Sequence, residues 1–390
     1  MDFSKKYDIV VAGAGIAGVA AATAAARMGY SAALIEKQNL IGGLATSGLI
    51  FVYLPLCDGE GRQVIFGLAE ELLKISLQYS PFGLTEKWGG QEKHSREDGD
   101  RYLCYFSPAG FTLSLDRVLK EAGVDLWLDT LVCASGVSSD GTVTAVEVEN
   151  ISGRGRIGAK CFVDASGSAQ LVRRAGGEVF TEANYNTPWL VQCSPENSHY
   201  HWKDSLHVHY LNSWEEKFRA GDALNARDVT AFTRNAWEDI RRFYDHAYAS
   251  AGSDKNHLFP VHLPAMPQFR KVAAAKGVCT LKNGQEGQRF EDSIGLCPDW
   301  RQPGPVWETP YGALVPEKVR GVLTAGRCIS AVDDAWEVFR VIPSAAMTGE
   351  AAGMAAALSV KNQCDPSELK IGELQQELRR KNFRLHLDEI

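Results

Sequence analysis

Three glycines near the start of the chain, Gly13, Gly15 and Gly18, have the spacing with which a backbone cradles phosphate. Gly13 lets the chain turn sharply out of a strand. Gly15 carries no side chain, so backbone N–H groups can approach a pyrophosphate. Gly18 lets the following helix pack close to a sheet. Ile16 and Ala17 fall in the first turn of that helix, whose unpaired N–H groups and dipole favour negative charge. An acid, Glu36, comes twenty-three residues after Gly13, with Lys37 beside it. At the end of a second strand it can accept hydrogen bonds from ribose hydroxyls, and it disfavours a 2′-phosphate, which argues against NADP. Residues 7–12 read as a buried parallel strand and residues 16–27 as a helix. That frame turns a weak glycine pattern into a dinucleotide site. It does not separate FAD from NAD, which share the ADP half.

Residues 197–210 hold four histidines, His199, His201, His207 and His209. The spacing of two puts each pair on one face of a strand, where one imidazole could accept a substrate proton. His207 and His209 lead, because Leu206 and Val208 alternate with them as in a half-buried strand. Polar strands at a domain surface would look the same. Nothing in their spacing completes a metal site, so no metal is expected. Nine cysteines, an odd number without a C-x-x-C pair, form no disulfide framework and point to a reducing cytoplasm. Cys328 reads as a packed small residue, since no resolving cysteine accompanies it.

The chain of 390 residues is long enough for two domains, and its net charge of −7 comes with no long basic run, so nucleic acid is not an expected partner. No signal peptide precedes the first strand. The alanine-rich stretch 343–358 contains Glu350 and is too short and too polar to cross a membrane.

Further motifs carry a resemblance. Gly42-Gly43-Leu44-Ala45-Thr46, Val163-Asp164-Ala165-Ser166-Gly167, Phe290-Glu291-Asp292-Ser293-Ile294, Thr309 to Pro316, Ala325-Gly326-Arg327-Cys328 and Gly349-Glu350-Ala351-Ala352-Gly353 join the first three glycines and Glu36. With them the chain resembles the FAD-dependent oxidoreductases with a glutathione-reductase-like FAD-binding fold, over most of residues 5–360 except about 176–265. The resemblance implies FAD as the cofactor. It implies that Gly42, Gly43, Leu44, Ala45 and Thr46 run along the pyrophosphate and ribityl chain, and that Val132 pairs backbone with adenine. It adds Ala165 and Gly167 to the cofactor set, brings Gly326 and Arg327 to the ribityl-phosphate side, and faces Ala345 and Ala346 toward the ring. Pro343 suits a first helical turn, and a positive helix end there would stabilise a reduced, anionic ring. By the same resemblance Arg270 points into the substrate site, where a guanidinium could clamp a carboxylate. Tyr311 could donate to a substrate oxygen or pack at a domain junction. Arg340 balances charge near the ring or caps carbonyls, and Asp292 reads as a turn cap.

The elements that must position these residues follow. The fold class is α/β: a Rossmann-type FAD-binding domain, with a parallel sheet and a three-stranded antiparallel meander, plus an inserted α+β substrate domain. Residues 1–80, 105–175 and 312–362 make the discontinuous FAD-binding domain. Residues 176–311 make the substrate domain, with 81–104 an excursion over the active site and 363–390 a C-terminal helix. Leu113, Leu115, Val118 and Leu119 mark the apolar face of a helix over 110–123. Asp365 and Pro366 open the last helix, whose Ile371, Leu374 and Leu378 pack on their own subunit or on a second copy in a homo-oligomer. Because that helix carries no cofactor motif, its removal should spare FAD.

The expected function is oxidation of a small polar metabolite, sugar-derived or a carboxylate, by hydride transfer to flavin N5, in a dehydrogenase or oxidase whose electron acceptor is unknown. The alternatives are a flavin reductase of a C=C or C=O bond fed by a partner, and a flavin-binding sensor without turnover. No second G-x-G-x-x-G is present, which argues against an NAD(P)H reductase.

Overall fold

The computed structural model of the chain describes residues 5–91, 101–185, 187–194, 201–202, 206–211, 219–220, 223–250 and 254–390. Its largest sheet has seven strands, six of them in the order Asp125–Trp127, Ala32–Ile35, Lys6–Ala12, Gly153–Asp164, Val143–Asn150, Leu131–Val137, and Val322–Thr324 also pairs with Gly153–Asp164. The twelve-residue strand Gly153–Asp164 does two jobs. Its first half closes an antiparallel meander with the strands before it. Its second half lies parallel between Lys6–Ala12 and Val322–Thr324. The strand from far along the sequence therefore completes the sheet that the first residues begin. The sheet's central strands are apolar because both faces are covered.

Helix Ile16–Arg27 is buried over its first ten residues, and helix Ile342–Asn362 from Ala346 to Ser359. They meet along small residues. A Cβ on Gly349 would stand 2.3 Å from the Ala17 carbonyl oxygen, and one on Gly353 2.2 Å from that of Ala21. Only glycine permits that backbone approach. Hairpin Ser293–Pro298/Val306–Pro310 is fully buried and shares the main core with the Ile342–Asn362 helix. The expected domain boundary at 311 thus runs between this hairpin and the core that it joins.

The inserted sheet has the order His201–Trp202, Leu206–Tyr210, Trp189–Cys193, Phe259–His262, all antiparallel. Helix Ala226–Ala249 packs on it through Ile240 and Tyr244 against Leu190 and Leu258. Residues 92–100 of the expected excursion, and His199, lie outside the described residues.

Two local expectations change. Helix Pro108–Ala122 is capped by Ser107 and ended by Gly123 at φ +76°, but Leu113 is 61% exposed. Two residues from Leu115, it lies about 200° round the helix from it. Asp365 caps a short turn, Pro366–Glu368, and the last helix starts later, at Ile371–Arg380.

Glu350 shows how burial taxes a charge. Its carboxylate accepts the Leu68 N–H at 2.6 Å, at the start of helix Leu68–Ser76. Burial drives its pKa from 4.5 to about 7. Glu71 adds to the rise, and Lys381, Arg27 and the Leu68 N–H oppose it. A raised acid pKa means that the folded state holds the proton more tightly. Stability from this group is therefore highest at acid pH and falls as pH climbs from 4.5 through 7, by about 3 kcal/mol. Glu350→Gln keeps the acceptor for Leu68 and removes the titration. Urea unfolding should find the variant more stable than the parent by about 3 kcal/mol at pH 8 and equal to it near pH 4. A pH-independent difference would contradict this.

Candidate functional site

One cavity collects residues from both ends of the chain. Gly13, Gly15, Ile16 and Ala17 line it at the start of the first helix. Glu36 and Lys37 line it at the end of the second strand, and Gly42 to Ala45 along one side. Ala165 and Gly167 join them, followed by Gly326 and Arg327, and then Ile342 and Ala345 at the start of the second long helix. The cavity therefore runs from an acid, past one helix N-terminus, to another. Each end presents unpaired N–H groups and a positive dipole.

The glycine turn has different needs at each position. Gly13 has φ +96°, and a Cβ there would come within 2.7 Å of the Ala165 oxygen. A Cβ on Gly18 would stand 1.8 Å from the Gly13 oxygen, so Gly18 is a packing residue and does not line the cavity. Gly15 is the opposite case. Its φ is −65° and ψ 177°, open to any residue, and a Cβ would meet nothing within 4 Å. What it keeps clear is cavity. Glu36 is 7% exposed. One carboxylate oxygen accepts the Ala14 N–H at 2.8 Å and the other the Gln38 N–H at 3.0 Å, so it also ties the turn in place. Burial raises its pKa against these bonds. An elongated cavity with an acid at one end, an amide-lined bend, and room kept by Gly15 fits FAD.

Other expected cofactor residues serve as scaffold. The Thr46 hydroxyl is buried and donates to the Ile41 carbonyl at 2.6 Å. The Val132 carbonyl accepts from Gln170 at 2.7 Å. Ala346 is fully buried in its helix. None of the three lines the cavity. Cys328 is buried, and its thiol, pushed up to about 12 by burial, donates to the Asp164 and Ala325 carbonyls. Buried and tied to backbone carbonyls, it sits as a packed small residue.

On the substrate side the expectations divide. Tyr311 is corrected: its buried hydroxyl donates to the Pro366 carbonyl at 2.8 Å, which leaves it at the junction with the C-terminal turn and away from the cavity. Asp292 caps the next turn by accepting the Gly312 N–H at 2.9 Å. His207 and His209 pair with Gln192 and Leu190 in the inserted sheet, and their side chains lie outside what is described. Arg270 does not line the cavity, but its neighbours Pro267, Phe269 and Val272 do, as do Arg327 and Arg340. The Arg327 guanidinium donates to the Gly167 and Phe269 carbonyls, each at 2.6 Å. Burial pushes its pKa down to about 10. Arg340 is gripped by Glu337 at 2.6 Å and lies over the Trp300 ring at 5.9 Å. Arg270, Arg327 and Arg340 were each singled out in the sequence, but Glu337 was not. The one available signal was Glu337 three residues before Arg340 on a helix.

Comparisons with known proteins agree with this geometry. A family profile described as FAD dependent oxidoreductase matches residues 8–276 and 274–378. An uncharacterized protein in the nifH2 5′ region of Methanosarcina barkeri is 30% identical over 198 residues, 47% of this chain and 95% of that protein. Vinyl phenol reductase of Lactiplantibacillus plantarum is 25% identical over 318 residues, 73% of this chain. This chain spans only 56% of that reductase. Among solved structures, a geranylgeranyl bacteriochlorophyll reductase-like protein from Thermoplasma acidophilum is similar at 14% identity and a TM-score of 0.49, over 97% of this chain and 84% of that one. No helix among the described residues is long and apolar enough to cross a membrane.

Proposed function

Because the chain belongs to the FAD dependent oxidoreductase family, we propose that it is a dehydrogenase or oxidase that takes hydride from a small polar metabolite onto flavin N5. Bound FAD supplies the two-electron acceptor. This chain's own residues supply the rest. The Gly13–Ala17 turn and the first helix would hold the pyrophosphate, and Glu36 the ribose. The start of helix Ile342–Asn362 would lie at the ring, where its dipole favours the charge that reduction adds. Arg327 holds the Gly167 and Phe269 carbonyls together, which joins the cofactor side of the cavity to the substrate side. The observation that carries the reading is the single cavity lined from both ends of the chain and closed by residues of the inserted part. The nine cysteines, all free, suit a reducing cytoplasm, where we place the protein.

The test is anaerobic. FAD-loaded protein, offered a panel of hydroxy acids, amino acids and sugar acids, should lose its flavin absorbance with at least one of them. A panel that leaves the flavin oxidised throughout would favour a sensor without turnover. The reverse reaction, reduction of a C=C bond, is the second reading, favoured by the likeness to vinyl phenol reductase. It expects chemically reduced protein to be reoxidised by an alkene.

A further inference from the structure

The adenine of the cofactor lacks the partner expected for it. Val132 is buried off the cavity, and its carbonyl is taken by Gln170. Strands Ala32–Ile35 and Gly153–Asp164 flank Lys6–Ala12, so the loops that follow them stand on either side of the Gly13 turn. Glu36, Lys37 and Gln38 follow the first of these strands, and Ser168 and Arg173 follow the second. All five line the cavity. The acid marks this as the ribose end. The lobe between the two loops therefore has to take adenine, a flat base with apolar faces.

The inserted part supplies apolar surface to that lobe. Leu224, Val229 and Met266 line the cavity, and all three are only half-buried. Each leaves apolar surface open there, which burial against a ligand would stabilise. Two attachments put them at the ribose end. On one side the Gln38 amide donates to the carbonyl of Ala265, next to Met266, at 3.1 Å. On the other, Leu224 packs against the cluster that contains Ala169, Leu171 and Val172, the residues just before Arg173. Phe232 and Phe269 stack at 4.1 Å, and Leu224 and Val229 pack on that pair. The segment carrying Met266 is strapped down as well. The Ala265 N–H donates to the Ser47 carbonyl at 2.8 Å, and the Gln268 amide to the Gly48 carbonyl at 2.7 Å.

We propose that Leu224, Val229 and Met266 form the lid of the adenine site, so that the inserted part holds the cofactor as well as facing the substrate. The apolar faces of adenine would lie against these three side chains. The ribose keeps Glu36, and the phosphates keep the first helix. Methionine suits such a contact, because a flexible, polarizable thioether adapts to a flat ring. A cofactor gripped by both parts of the chain cannot leave until the strap 265–268 lifts. FMN, which has no adenine, gains nothing from the lid. The inference rests on the placement of FAD given above and needs no turnover.

The experiment titrates the full-length apoprotein with FAD, ADP and FMN. Val229→Trp fills the lobe. It should weaken FAD and ADP at least tenfold and FMN less than twofold, with the apoprotein melting temperature unchanged. Met266→Cys gives a second measurement that does not depend on lost affinity. Saturating ADP should slow maleimide labelling of that cysteine at least tenfold, as mapped by peptide mass spectrometry, and FMN should not. The inference is overturned if Val229→Trp binds ADP as the parent does, or loses FMN as severely as ADP. It is also overturned if ADP leaves the cysteine at position 266 open to maleimide. Should Val229→Trp melt lower than the parent, the labelling alone decides. Because no substrate takes part, a flavin that no metabolite bleaches would end the redox reading and leave the lid standing.

Discussion

Gly15→Val should yield a folded, colourless protein. Unlike Gly13, the position has ordinary backbone angles, φ −65° and ψ 177°, so valine is not strained there. It also has nothing within 4 Å of a built Cβ, so valine does not clash with protein. The branched side chain would instead stand in the cavity at the mouth of the first helix, where the pyrophosphate has to approach the N–H groups. Losing two charge-assisted hydrogen bonds costs about 3–6 kcal/mol, which is roughly two to four decades in FAD affinity. The purified variant should carry almost no flavin, while its apoprotein should melt within about 2 °C of the parent apoprotein. Comparing apoproteins matters, because bound FAD itself raises the melting temperature. Gly18→Ala is the contrasting control. Its Cβ would lie 1.8 Å from the Gly13 oxygen, so it should damage the fold whether or not FAD is present. A yellow Gly15→Val protein with unchanged FAD affinity would refute the cradle.

These two glycines also show what the sequence makes legible. Gly13, Gly15, Gly18 and Glu36 act within one strand–turn–helix–strand unit, so their spacing nearly dictates their placement. Gly326 was placed by resemblance on the ribityl-phosphate side, and in the structure it lines the cavity beside the first helix: a Cβ on it would come 2.8 Å from that of Ala17. What periodicity cannot supply is the partner across a long sequence gap. Nothing local says that Gly349 and Gly353 face Ala17 and Ala21, or that Glu350 caps a helix beginning at Leu68. Tyr311 was weighed between two roles, and the choice was settled by a carbonyl fifty-five residues on. The arginine cluster is similar. Arg270 was expected at the substrate side, but it is Arg327 and Arg340 that line the cavity, and the engagement of Glu337 by both Lys271 and Arg340 is an arrangement only the fold brings together.

The C-terminal segment tests that difference most severely, because motif logic and packing logic disagree about it. A segment with no cofactor motif should be dispensable for FAD. In the structure Leu374, Leu378 and Leu385 are fully buried and Phe383 is 3% exposed, all within the main core. Burying four such side chains is worth about 6–12 kcal/mol, against a total stability of about 5–15 kcal/mol for a typical domain. The polar ties follow the same path. Ser293 donates to the Leu385 carbonyl at 2.6 Å, and Gln375 donates to the Glu291 and Ser293 carbonyls at 2.9 and 3.0 Å. Glu308, 1% exposed, accepts from Leu387 at 3.0 Å and contacts His386 at 3.1 Å. Removing residues 365–390 would expose the apolar surface beneath and leave that carboxylate with one fewer backbone donor and no imidazole. The loosened hairpin, Ser293–Pro310, packs in the same core as the helix whose first turn lines the cavity. The truncated chain should therefore be insoluble or lack a cooperative melt, and hold no FAD. Leu378→Ala in the full chain, costing about 2–5 kcal/mol, should lower the melting temperature and still bind FAD at low temperature. A soluble truncated protein with full FAD content would show that this helix is an appendage and that the core closes without it.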